Sequence, residues 1–438
     1  MSSLRLLLPF AIIMSIATPG TSGASQPAPL SPQEQAVARA VDARTDEAIA
    51  LLEKAVNINS GTQNLAGVRE VGALFRAEFD KLGFQTRWVD GSSWERAGHL
   101  VAEHAGPGPK ILLVGHLDTV FEPDSPFQRF TRQGDKASGP GVIDMKGGDT
   151  VMVLALSALK DAGLLDRLNI TVVMTGDEEN SGRPLSAARK ALRDAAEGTR
   201  AVIGFEDGDG NPKTVVIGRR GTTGWELTVK GTPAHSSQIF KPEIGAGAIY
   251  EAARILNEFR VQLEGKPNLT FNPGAIVGGT SAELDPVDSR GTAFGKSNVV
   301  AEHATVIGDL RALTPQQFAD ARKTMEAIVA ASLPGTSATI EFDEGYPPLA
   351  PTPGNRELLS MYNEASQALG FGPVEAVNPD NAGAADVSFV ADESRMIIDG
   401  VGLMGTGGHT VDETADLATL PMQAKRAAIV LLRLSGMR

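Results

Sequence analysis

Apolar and polar positions along the chain change rhythm several times, and each rhythm predicts a different element. Over residues 34–56, and again over 68–82, apolar side chains recur at helical spacing on either side of the turn Ser60-Gly61. The pattern then shortens to continuous apolar runs at 110–115, 169–175 and 199–205, set apart by helical stretches at 148–162 and 184–193. Uninterrupted runs such as Ile111-Leu112-Leu113-Val114 suit strands covered on both faces. This part therefore predicts an α/β fold, a mostly parallel sheet flanked by helices.

The order changes between about 219 and 346. It becomes strand (223–229), helix (246–263), two strands (268–277 and 297–310), helix (315–331) and strand (337–343). A βαββαβ order of that length predicts a ferredoxin-like unit inserted at 219–345 into a larger domain made of 25–218 and 346–438. The Pro-rich stretch 346–353 is the expected return linker. It leads to a helix (357–369), a strand pair (374–377 and 396–401), a Gly-rich loop and a last helix (421–434).

The amino terminus follows another logic. Arg5 precedes an apolar run at 6–17, then Pro19, Gly20 and the small-residue triplet Ser22-Gly23-Ala24. This layout predicts a secretory signal peptide over 1–24, because the run is shorter than the roughly 20 residues of a membrane span. The expectation is an exported protein, periplasmic or secreted, with no stable membrane insertion.

Composition narrows the chemistry. A net charge of −13 argues against nucleic acid as a partner, since phosphate binding needs a basic surface. With no cysteine among 438 residues, any bound metal must be held by His, Asp and Glu.

Such residues cluster where apolar runs end, which is where open α/β sheets bind ligands. Gly115-His116-Leu117-Asp118-Thr119 follows the first run, and Asp118, two residues on, shares a face of extended chain with His116 and can orient its imidazole. Asp144 sits in the glycine-rich stretch 138–148 just before a helix, where it could equally be a cap. Asp177-Glu178-Glu179 closes the second run, offering one carboxylate for a metal and a neighbour as general base. Phe205-Glu206-Asp207-Gly208 closes the third, with Glu206 the expected ligand and Asp207-Gly208 an expected turn. Of six histidines, His99, His104 and His303 stand outside these clusters. His409 lies in a Gly-rich loop, 404–410, whose backbone N–H groups could receive an anion, and His235 follows the first strand of the insertion.

In this order the motifs G-H-x-D-T, G-P-G-x-x-D-x-K-G-G, D-E-E, F-E, G-x-x-A-H-S and G-x-G-G-H resemble the M20 metallopeptidases, above all the glutamate carboxypeptidase and acetylornithine deacetylase type. The resemblance runs from about residue 45 to the carboxyl terminus. It implies two zinc ions (Zn2+) per subunit, bridged by Asp144, with His116 and Glu206 on one and Glu179 and His409 on the other. It further implies Glu178 as general base, Asp118 as the partner of His116, and His235 as an oxyanion-stabilising residue reaching across a homodimer. Asn298, Arg311, Gly407 and Gly408 match positions that meet the substrate, a peptide or N-acyl amino acid from which a carboxyl-terminal residue is released. An aminopeptidase, dipeptidase or N-acyl amino acid deacylase of the same family, or a non-catalytic peptide- or metal-binding protein, remain alternatives. One departure is Asp207-Gly208, where Pro-Thr or Pro-Ser often follows the glutamate.

Overall fold

The protein is described by a computed structural model covering residues 28–285 and 290–436; the predicted signal peptide lies outside the described residues. The first helix, α1 (Pro32–Val56), opens on a capping box in which Ser31 Oγ accepts from Glu34 N at 3.2 Å and Glu34 Oε2 accepts from Ser31 N at 2.8 Å. α2 (Leu65–Leu82) stops at Gly83, whose φ of 92° is left-handed and suits glycine. Five strands follow: β1 (Gln85–Asp90), β2 (Gly98–His104), β3 (Lys110–His116), β4 (Asn169–Thr175) and β5 (Ala201–Gly204), with helix α3 (Lys146–Asp161) between β3 and β4. Together with Ile397–Ile398 they form one sheet in the order β1-β2-β4-β3-β5-(397–398). β3 runs parallel to β4 and β5, and Ile397–Ile398 parallel to β5, while β1 and β2 are antiparallel additions.

The parallel strands sit where the continuous apolar runs predict them. β1 and β2 carry no such signal, because β1 is an edge strand with every residue at least partly exposed and β2 includes His99 and Glu103. The helix expected at 184–193 is two short ones, Leu185–Ala188 and Lys190–Ala196, broken at Arg189, which turns its guanidinium inward to Asp177 and Asp386. The expected strand pair is also different. Glu375–Ala376 joins Thr214–Val215 and Ile397–Ile398 joins β5, so the two segments serve separate sheets.

A second, four-stranded sheet is built by β6 (Gly221–Gly231), α4 (Ala248–Leu263), β7 (Thr270–Gly279), β8 (Ser281–Asp285), β9 (Arg290–Phe294), β10 (His303–Ala312), α5 (Pro315–Ala330) and β11 (Thr336–Phe342). Its order β7-β10-β6-β11 is antiparallel throughout, the arrangement of a ferredoxin-like unit, with β8 and β9 added as a separate hairpin. This smaller lobe has its own apolar core, including Trp225, Leu227, Ile255, Phe259, Val306 and Met325, none of which belongs to the core of the larger lobe.

The chain passes between the lobes twice, and the two passages are neighbours. Arg219 and Leu349 exchange both backbone hydrogen bonds (2.9 and 3.0 Å), and Thr222 N donates to Tyr346 O at 3.0 Å. The larger lobe is then completed by α6 (Pro353–Ala368) and α7 (Thr419–Leu434), the latter packed with α1 and α3 against the sheet. No described helix is long and apolar enough to cross a membrane.

Candidate metal centre

The site forms at the carboxyl ends of the parallel strands. His116 is the last residue of β3, Glu178 and Glu179 follow β4, and Glu206 follows β5. Asp144 arrives on the loop before α3 and His409 on the Gly-rich loop ahead of α7. Asp144 does not cap α3, since its side chain turns to the two histidines. Its Oδ1 lies 3.0 Å from His116 Nε2, which is 3.5 Å from Glu206 Oε1. Its Oδ2 lies 2.9 Å from His409 Nε2, which is 3.1 Å from Glu179 Oε2. One carboxylate thus faces two His–Glu pairs, one from each oxygen.

This donor set fits a cation. Donor atoms of His116, Asp144 and Glu179 lie within 4.8 Å of one another, and Glu179 Oε1 is buried with no hydrogen-bond partner among the described residues. An all-nitrogen-and-oxygen set of this kind suits zinc or a similar divalent ion. The electrostatics of the bare protein agree. Burial, with the nearby Asp144, pushes Glu179 up to about 7, and burial likewise raises Glu178 and Glu206 well above the carboxylate range. Hydrogen bonds to Asp144 and then Glu179 raise His409 to about 11. Burial works to raise Asp144 too, but hydrogen bonds from His116 and His409 outweigh it and hold that carboxylate low. Carboxylates crowded together out of water are costly to ionise unless a positive charge sits among them.

Asp118 does more than its spacing suggests. Its main-chain oxygen is 3.1 Å from His116 Nδ1 and its Oδ1 is 3.5 Å away, which directs Nε2 toward Asp144. Its fully buried carboxylate also accepts from Glu178 N (3.0 Å), Glu179 N (3.1 Å) and Thr62 Oγ1 (2.6 Å), fixing the loop that carries both glutamates. His409 has a φ of 62°, a left-handed conformation rare for a residue with a Cβ. Gly407 takes a φ of 80°, and a Cβ there would meet Asp412 O at 2.7 Å.

The sequence did not disclose Glu413. Its buried carboxylate accepts from Gly141 N, Ile143 N and Asp144 N at 3.0, 2.8 and 3.2 Å, clamping the loop that presents Asp144. The only signal available was its distance of four residues from His409. Asp399, buried in an ion pair with Arg219 at 2.8 Å, similarly accepts from Glu206 N at 3.3 Å. Asp207 does begin a turn, with Gly210 N donating to its carbonyl at 3.1 Å and Gly208 at φ 68°. Its carboxylate faces Gly408 all the same, and burial raises it to about 7.

Three expected residues stand apart from this cluster. His235 is exposed, with Nδ1 2.8 Å from Ser237 Oγ, and Asn298 is exposed beside it, its carbonyl accepting from Ser236 N at 2.9 Å. Arg311 lies near the end of β10 with Nε on Asp309 Oδ2 at 2.9 Å. Among the described residues no hydrogen bond or ion pair joins these three to Asp144 or to the four side chains gathered around it. Gly408 lies beside His409 at the mouth of the cluster, and Gly407 turns the loop behind it. Of the remaining histidines, His99 is buried, with Nε2 2.6 Å from Ala188 O and Nδ1 accepting from Gly176 N at 3.2 Å, and His104 Nδ1 meets Leu168 O at 3.1 Å.

Residues 112–433, well over half of the chain, match the model of peptidase family M20/M25/M40. The chain belongs to this family. It is 29% identical over 409 residues to carboxypeptidase G2 of Pseudomonas sp. (strain RS-16), covering 90% of this chain and 91% of that one. It is 25% identical over 390 residues to succinyl-diaminopimelate desuccinylase of Delftia acidovorans, covering 83% and 92%. Among solved structures, aminopeptidase PepT of Bacillus cereus superposes with a TM-score of 0.70 at 19% identity, over 89% of this chain and 98% of that one, and shares the fold. The M20 protein is accordingly a metallopeptidase-type hydrolase with a mixed α/β architecture.

Proposed function

We propose that this M20 protein is an exported di-zinc carboxypeptidase that hydrolyses the amide bond of peptides or N-acyl amino acids and releases the carboxyl-terminal amino acid. The observation that carries the reading is the placement of Asp144 between two His–Glu pairs, with Glu178 adjacent to Glu179 on the same fixed loop. His116 and Glu206 would hold one zinc ion, Glu179 and His409 the other, and Asp144 both. Bound there, such a pair polarises the substrate carbonyl and makes water a better nucleophile near neutral pH.

The protein's own groups supply the rest. Glu178, whose carboxylate burial makes a stronger base than usual, takes the proton of the attacking water and returns it to the leaving amine. Arg311 has 40% of its side chain exposed and, among the described residues, only Nε committed, to Asp309, so its remaining nitrogens can pair with a substrate α-carboxylate. Asn298 and the backbone of Gly407 and Gly408 complete the substrate contacts. His235, which among the described residues makes its side-chain hydrogen bonds to Ser237 and none to the cluster, is assigned to the oxyanion of a neighbouring subunit.

The lobe 219–345 is accordingly proposed as lid and homodimer surface. Ile249 and Tyr250 on α4, Ile276 on the edge strand β7 and Phe294 on β9 are each more than half exposed, an apolar set that a second copy would cover. Export is proposed from the amino-terminal charge, apolar run and small-residue triplet. The desuccinylase relative supports one alternative, an N-acyl amino acid deacylase, served by the same machinery.

The test is amide hydrolysis by the chain beginning at Ser25 on a panel of N-acyl amino acids and dipeptides, with chelator added and then zinc. Carboxyl-terminal release that chelator abolishes and zinc restores is expected. Amino-terminal release would select the aminopeptidase alternative. In the same assay Glu178→Ala should retain metal and lose at least about a hundredfold in turnover, the usual worth of a general base; an active Glu178→Ala variant removes that assignment.

A further inference from the structure

Glu178 is held at both ends of its own backbone, and the second attachment comes from an unexpected direction. Its N–H donates to Asp118. Its carbonyl accepts, at 2.8 Å, from the hydroxyl of Tyr346, the residue with which the chain returns from the smaller lobe. Tyr346 O in turn accepts from Thr222 N on the outgoing passage. One residue therefore touches both the peptide of the base and the ribbon joining the lobes.

The surroundings leave the phenol little freedom. Arg189 Nη2 lies 2.9 Å from the hydroxyl and 2.8 Å from Ser181 Oγ, which is itself 2.8 Å from the hydroxyl. The Arg189 guanidinium is fully buried, paired with Asp177 Oδ1 at 2.6 Å and Asp386 Oδ1 at 2.7 Å, and Asp177 sits next to Glu178 in the chain. Phe389 packs edge-on to the Tyr346 ring at 4.7 Å. The Glu178 carbonyl can only accept and the Arg189 guanidinium can only donate, so the contact with Glu178 has a fixed donor and acceptor, the Tyr346 hydroxyl giving its hydrogen to the carbonyl. Nearby, Glu344 Oε2 accepts from Leu185 N at 3.0 Å, a second point where the return passage grips the segment after the glutamates.

We infer that Tyr346 is a positioning residue for the general base, coupling the placement of Glu178 to the ribbon that joins the two lobes. A shift of the 346–349 segment against 219–222 would move the hydroxyl, and with it the carbonyl of Glu178, while Asp118 holds the amide side. Tyr346 touches neither the substrate nor the reacting atoms. Its direct contact with the base is through the Glu178 peptide carbonyl.

The inference rests on Glu178 being the base, so the experiment includes Glu178→Ala. In the full-length, zinc-loaded enzyme, Tyr346→Phe removes one hydroxyl from an otherwise unchanged ring. On the panel substrate turned over fastest, kcat should fall about tenfold, with KM within twofold and metal content and thermal midpoint near those of the unaltered protein. Adding Tyr346→Phe to Glu178→Asp, in which the carboxylate is already displaced, should cost much less than tenfold, since residues acting through one group are not additive. In the metal-free protein, hydrogen exchange over 176–182 should quicken in Tyr346→Phe while α1 is unchanged. An unaltered kcat in Tyr346→Phe, or a full tenfold loss on top of Glu178→Asp, overturns the inference. An active Glu178→Ala instead overturns the catalytic assignment beneath it. If Tyr346→Phe lowers the thermal midpoint strongly, Ser181→Ala, which removes a neighbour of the same hydroxyl, replaces it, and an unchanged exchange rate over 176–182 in that variant also overturns the inference.

Discussion

At the scale of single residues, the site is a set of acids that need company. In the metal-free protein Glu179 and Glu413 both sit at about 7, in each case chiefly because burial disfavours the charge. Between about pH 4.5 and 7 the folded chain therefore keeps protons that the unfolded chain has released. The stability these groups contribute is fully present below their unfolded pKa and is lost as pH rises through 7, at up to about 1.4 kcal/mol per pH unit for each titrating group. His409, raised from 6.5 to about 11, has the same sign but acts only from about pH 6.5 upward, so the fall below that comes from the carboxylates. Chelated protein should consequently show a falling thermal midpoint from pH 5 to 7, and the stabilisation on adding zinc should grow across that interval. The window stops at 7 because the buried Lys146 amine, pushed down to about 7 by burial, begins to release its own proton there. A flat or rising midpoint in the chelated protein would contradict the account. Glu413 has a separate prediction. Glu413→Gln keeps an acceptor but loses the charge that gathers three N–H groups around the Asp144 loop, and zinc affinity measured by chelator competition should drop about 10- to 100-fold.

At the scale of elements, close approach governs how the strands present these residues. A Cβ on Gly148 would lie 1.8 Å from Phe205 O, so α3 meets the end of β5 with no room between them. Gly148→Ala should force the helix away and destabilise the fold by about 1–3 kcal/mol, read from the denaturant midpoint, while loosening the loops of Asp144 and Glu206 that flank the contact. The elements most legible in the sequence were those whose burial is written as a continuous apolar run: β3, β4 and β5 fall at or within a few residues of the expected positions, and the βαββαβ order of the smaller lobe is found as expected. β1, β2 and the β8–β9 hairpin were not legible, since edge and exposed strands mix polar and apolar residues without a burial rhythm. The same distinction runs through the site. His116, Asp144, Glu179, Glu206 and His409 stand in recognisable local motifs, and the structure brings them together. Glu413, Asp399, Arg189 and Tyr346 support them from positions whose meaning depends on contacts between distant parts of the chain, which no local pattern encodes.

At the scale of the whole molecule, the position of His235 and Asn298 poses the sharpest question. Both lie on the smaller lobe, outside the contacts around Asp144, so a complete site requires a second copy if their proposed roles hold. Two inactive variants then make a clean test. Glu178→Ala and His235→Ala, each nearly inactive alone, should regain activity when unfolded and refolded together, because a mixed dimer contains one site with both residues intact. No recovery in mixtures shown to form dimers would remove His235 from catalysis. Monomers at micromolar concentration by sedimentation would remove the shared site altogether.

The paired passages at 219–222 and 346–349 carry one last implication. Because the strand leaving the larger lobe and the strand returning to it are already hydrogen-bonded neighbours, a tight turn could join them directly, and among the described residues between 218 and 357 the larger lobe's apolar clusters draw only on Leu349, which belongs to the returning passage itself. The smaller lobe is thus hung on the larger like a tool in a handle, exchangeable in principle for a shorter or longer head, with Tyr346 as the peg that would register the swap.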